Sequence, residues 1–161
     1  MSEVIPLLSK IAIWAAIAGW TAAIIGRYLD KSLRTLNILW LVSLIFFSIH
    51  VITAFHGFYQ WSIQTALTET ARLTEQVTGW RSGIGLWVNF VFFAWLAADY
   101  IDRVRKGEKY SSARNRIAEA IILFMILNGA VIFATGPVRW FGAALLLSMG
   151  ATMAYAKFRP D

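Results

Sequence analysis

An all-α bundle of five transmembrane helices, with one amphipathic helix outside the membrane, is the architecture this sequence predicts. Three observations predict it. Hydrophobic residues fill 58% of the 161 positions and charged residues only 15%, whereas soluble domains carry roughly 25% charged residues. Five stretches are long and apolar enough to cross ~30 Å of hydrocarbon, which takes roughly 20 residues as a helix. Lysine and arginine collect in alternate connections between those stretches, as membrane topology requires. The length suits one integral membrane domain over residues 1–161.

The five stretches are Val4–Gly26, Asn37–Gln60, Ser82–Ile101, Arg116–Thr135 and Val138–Ala156. The first is expected to be retained, because Ser2 and Glu3 replace a basic leader and Lys10 interrupts the apolar run. Between the second and third, Ser62–Thr78 repeats apolar residues at helical spacing: Ile63, Ala66, Leu67, Ala71 and Val77. Glu69, Arg72 and Glu75 share its other face, and Gly79 ends it, so it reads as an amphipathic helix lying on the bundle or membrane surface. Gly136-Pro137 breaks the last two stretches into an antiparallel hairpin. Ala15, Gly19 and Ala23, and again Ala144, Ser148, Thr152 and Ala156, recur every fourth residue. Small residues at that spacing let helix backbones approach in lipid, with a cofactor groove as the alternative use.

Charge orients the bundle. Arg27, Lys31 and Arg34 follow the first stretch, the tract from Arg103 to Arg116 follows the third, and Lys157 and Arg159 close the chain. Eleven cations fall on this side and four on the other: Lys10, Arg72, Arg81 and Arg139. The bias predicts an inner-membrane protein with its N-terminus outside and its C-terminus cytoplasmic. Trp61, Trp80 and Trp140 then fall at the outer boundary, where indoles prefer to sit. The net charge of +6 is therefore a topology signal, and nucleic acid is not an expected partner. The lipid bilayer is.

The absence of cysteine excludes disulfides, thiolate catalysis and cysteine-ligated metals. Among the remaining candidates, His50, Asn89 and Asn128 each lie about seven residues, or ~10 Å, inside the outer boundary, with Lys10 at similar depth. Polar groups in lipid must find partners. Mutual hydrogen bonding explains such a layer, while the functional reading is an outward-opening pocket for haem, quinone, a metal ion or a small solute. His56 with Glu69 and Glu75 gives a second candidate, a transition-metal site. Surface ion pairing with Arg72 is its plainer reading. On the basic side, Glu119 near Arg116, and Asp99 and Asp102 near Arg103, read as interfacial ion pairs. The tract Arg103–Lys109 also suits anionic lipid.

The stretch from His50 to Asn89 resembles a group of small bacterial polytopic membrane proteins. The resemblance rests on His50 and His56, the Trp61-Ser62 pair, Thr70-Ala71-Arg72 with Thr74, and Gly83 and Gly85 leading to Asn89. It implies a bacterial multi-pass protein and no particular activity. With no compact catalytic motif, the reading is a non-catalytic subunit or assembly factor of a larger membrane complex, such as a respiratory or photosynthetic one. Its partners would be other membrane subunits or further copies of itself. The alternative is a ligand-binding membrane protein built on the polar layer, and a small transporter is a third option.

Overall fold

The computed structural model describes residues 4–158, so the expectations placed on Ser2, Glu3 and Arg159 fall outside the described residues. Six helices follow one another: α1 (Val4–Tyr28), α2 (Leu33–Gly57), α3 (Ile63–Thr78), α4 (Ile84–Lys106), α5 (Ser112–Ile126) and α6 (Pro137–Phe158). No strand occurs among the described residues. All but α3 are long and apolar enough to cross a membrane, α5 together with its π-helical continuation to Ile132, so the five-span, all-α architecture holds. Because the spans alternate in direction, the α1–α2 and α4–α5 connections share one end with the close of α6. That is the basic end. The α3 end carries the other connections.

Local chemistry moved several boundaries. α2 starts four residues early because the Ser32 side chain accepts the Thr35 amide at 3.3 Å, a helix N-cap. It stops at Gly57 because Gln60 and Trp61 take positive φ, 48° and 62°. α4 runs five residues past Ile101. The i,i+4 pairs Asp99–Arg103 and Asp102–Lys106 support that polar extension, and a short 3₁₀ turn at Gly107–Lys109 ends it. α5 passes into a π-helical stretch, Leu127–Ile132, in which the Phe133 amide reaches back to the Asn128 carbonyl at 2.9 Å. Arg139 then donates Nε to the Val131 and Ala134 carbonyls, both at 3.0 Å, closing the hairpin over otherwise open helix-end groups. A Cβ on Gly142 would sit 2.9 Å from the Ala130 carbonyl oxygen, so the two arms meet backbone to backbone.

The core centres on α1. Its Trp20 is fully buried, with the Phe47 and Trp40 rings 5.5 and 6.4 Å away. Leu96, Ile122, Ile126 and Met149 close around it, one or two from each remaining span. Small residues serve the α1–α2 seam: Ala12, Ala16 and Ala23 are buried, and a Cβ on Gly19 would meet Ser43 Oγ at 2.3 Å. The second small-residue stripe behaves differently. Ala144 and Ser148 are exposed on α6, because α6 turns Gly142 and Met149 inward instead. The chain buries 44% of the apolar window of α1 and 11% of that of α6. One helix is a hub, the other nearly all surface.

α3 packs along the start of α4 through Ala66, fully buried, and the half-buried Leu67, Thr70, Ala71 and Thr74. Ile63 and Val77, expected on that face, are exposed. Threonine replaces them inside because Thr74 Oγ1 donates to the Thr70 carbonyl at 2.8 Å, which satisfies the hydroxyl within the helix. Gly83 permits the contact, since a Cβ there would lie 2.9 Å from the Leu67 carbonyl oxygen.

Candidate functional site: a charge-paired end and a polar layer

At the basic end, four helices contribute to one buried cluster. Asp99 and Glu119 each stand seven residues inside their helix ends, ~10 Å along the axis. Asp99 is fully buried and accepts from Arg103 Nη2 at 3.3 Å. The Tyr110 hydroxyl donates to the same carboxylate, and Arg114 Nε lies 3.5 Å from it. The Arg103 guanidinium, itself buried, lies over the Trp40 ring at 4.3 Å and the Tyr110 ring at 4.5 Å. Arg114 also reaches Asp102 at 2.9 Å, beside Lys106 at 3.0 Å. Burial of the Tyr110 phenol, together with its hydrogen bond to Asp99, pushes its pKa well above the ordinary value.

Glu119 belongs to a second knot. It pairs with Arg27 of α1, and the Tyr28 hydroxyl donates to its Oε2 at 3.3 Å. The expected partner, Arg116, is exposed and makes no ion pair among the described residues. Glu119 shares the inward face of α5 with buried Ala118 and Ile122, whereas Arg116 points outward. Glu119 is therefore a tie between helices, whereas Asp99–Arg103 and Asp102–Lys106 are i,i+4 pairs along α4, the first of them buried. A cavity of about 10 Å³, the room one water needs, separates the knots between Arg27, Trp40, Arg103 and Glu119. Together the two knots join α1 to α5, and α4 to the head of α5, with the Trp40 ring of α2 beneath Arg103.

At the α3 end the polar groups stay apart. His50 Nδ1 lies 3.1 Å from Ser9 Oγ and 3.0 Å from the Ser9 carbonyl, so its partner is the neighbouring α1. Asn128 donates Nδ2 to the Phe124 carbonyl of its own helix at 2.8 Å. Asn89 and Lys10 are exposed, and no hydrogen bond joins any two of these four residues among the described ones. They do keep a common depth. Phe47 meets Phe93, and Phe92 meets Phe124, with centroids 5.2 and 5.5 Å apart. His50, Asn89 and Asn128 each follow one of these rings by about a turn toward the α3 end. An aromatic floor thus underlies three polar groups that do not touch.

The outer candidate set is dispersed as well. His56 accepts from Trp61 Nε1 at 3.2 Å, Glu69 holds Arg72 by two oxygens, and Glu75 reaches Arg81 at 3.3 Å. His, Asp and Glu form no metal-holding group of three among the described residues. The Arg72 hydrogen bond lowers the Glu69 pKa, while burial and then the Glu69 charge raise that of Tyr59. An open groove of about 480 Å³ runs between α3 and α4, lined by Leu67, Ala71, Arg81, Ile84 and Trp87 among others.

Sequence reasoning missed Trp40, Tyr110, Arg114 and the reach of Arg27. One signal was available: Asp99 and Arg103 continue the inward face marked by Leu96, at i+3 and i+7.

Fold and site together define the class: an all-α membrane protein of five spans, tied at one end by buried charge. Compared with known proteins, the chain matches no family model, no curated protein and no solved structure.

Proposed function

We propose that the protein is a non-catalytic subunit or assembly factor of a larger membrane complex, with the basic end in the cytoplasm. The observation that carries this reading is the contrast between α1 and α6. The charge-paired end fixes α1, α2, α4 and α5 and leaves α6 out of its ties. α6 offers a long apolar face with Leu147 74% exposed and the small residues Ala144 and Ser148 beside it. A face of that kind suits close approach by another helix. The cation bias supports the orientation, and the resemblance to small bacterial polytopic proteins supports an inner-membrane setting.

Gentle detergent extraction followed by native electrophoresis and an absorption spectrum tests this. The expected result is migration well above the 18.1 kDa chain plus its micelle, without a haem band, and a return to the small species on Ser148→Trp. Migration as the isolated chain with bound haem, quinone or metal would overturn it. That outcome would favour the second reading, a ligand site at His50, Asn89 and Asn128, for which the shared depth above the aromatic floor speaks.

A further inference from the structure

The ion pairs of the basic end consume Arg27, Arg103, Lys106 and Arg114 against Asp99, Asp102 and Glu119. Arg105, Lys109 and Arg116 remain exposed and make no ion pair among the described residues. Their positions are informative. The outward stripe of α4 runs through Ile84, Trp87, Val91 and Ile101, 67, 51, 63 and 50% exposed, and ends on Arg105. From Ile84 to Arg105 is 21 residues, or ~32 Å of helix, about one hydrocarbon thickness. Arg105 therefore stands where acyl chains give way to head groups. Arg116 is likewise exposed within the first turns of α5, ahead of the exposed Ile117 and Phe124. Lys109 lies in the turn that joins the two helices. Ala94 and Ala98, both exposed, leave the α4 surface shallow below Arg105.

We infer that the α4–α5 hairpin binds an anionic glycerophospholipid, its phosphate held by Arg105, Arg116 and Lys109 and an acyl chain lying along Ala94, Ala98 and Ile101. Guanidinium forks match phosphate oxygens, and an apolar track directly beneath the cations selects a lipid over a soluble anion. Arg103, the first cation of the same tract, takes no part because Asp99 and the two aromatic rings hold it inside.

The test is native mass spectrometry of the full chain in delipidating detergent, titrated with phosphatidylglycerol, with phosphatidylcholine and with inorganic phosphate. Phosphatidylglycerol should be retained selectively. Arg105→Gln/Lys109→Gln/Arg116→Gln should weaken it by roughly fivefold per cation, about a hundredfold in all. Arg72→Gln at the α3 end reports on general charge loss and should leave retention unchanged. A circular dichroism melt checks that the triple variant is folded; if it is not, Arg105→Gln alone is scored. Equal retention by the folded variant, equal retention of phosphatidylcholine, or full competition by inorganic phosphate would each overturn the inference.

Discussion

The two ends of the bundle solve the same problem differently. At the basic end, side chains of α1, α2, α4 and α5 reach across to one another. At the α3 end, Thr53, Asn128 and Thr74 donate to carbonyls three or four residues back in their own helices, while His50 crosses to Ser9 and the charged Arg139 crosses to backbone carbonyls of the α5–α6 hairpin. The difference follows from chemistry. A hydroxyl or amide can satisfy itself on its own backbone, but a buried carboxylate needs an opposite charge. Charge therefore ties helices together, while short polar side chains at matching depth do not require it.

Breaking the basic end should have the largest effect. Asp99→Leu strands the Arg103 guanidinium between Trp40 and Tyr110 and should cost about 3–5 kcal/mol, read as a collapse of folded yield in a denaturing-detergent titration. Asp99→Leu/Arg103→Leu should recover much of that loss. Removing one partner from the second knot is milder: Glu119→Gln keeps the shape and one acceptor, and about 1.5–3 kcal/mol should go. At the α3 end, His50→Ala should cost about 1 kcal/mol, and His50→Leu less, because apolar filling leaves only the Ser9 hydroxyl to rearrange. Asn128→Leu should fall within about 0.5 kcal/mol of the parent, since its amide bonds only to its own helix. If Asn128→Leu destabilised as much as Glu119→Gln, the polar layer would be a network after all.

Alkaline pH sharpens the same contrast. The Tyr110 pKa is raised in the folded chain. Its stabilising contribution is therefore complete below the ordinary phenol value of 10.0 and is lost only as pH climbs beyond it. A pH series of melting temperatures should show a decline above that point in the parent and a shallower one in Tyr110→Phe. Identical declines would remove Tyr110 from the tie.

Five spans, their order and the position of α3 were readable from apolar run length and from Gly79, Gly136 and Pro137. The boundary shifts were not, because an N-cap at Ser32 and ion pairs beyond Ile101 extend helices through polar sequence where hydropathy stops. Depth was readable too: His50, Asn89 and Asn128 do share a layer. Partnership was not, because depth leaves rotation about each helix axis open. Rotation turned Asn89 and Lys10 outward and paired Glu119 with Arg27, 92 residues away in the chain, and not with Arg116 beside it.

Two double-mutant cycles in one detergent put the account to its most direct test: Arg27→Leu with Glu119→Leu across α1 and α5 at the basic end, and Ser9→Ala with His50→Leu across α1 and α2 at the other. The expected coupling is about 2 kcal/mol or more for the charged pair and about 0.6 kcal/mol or less for the polar one. Equal couplings, or a larger one at Ser9–His50, would contradict the claim that buried charge at the basic end holds the bundle together.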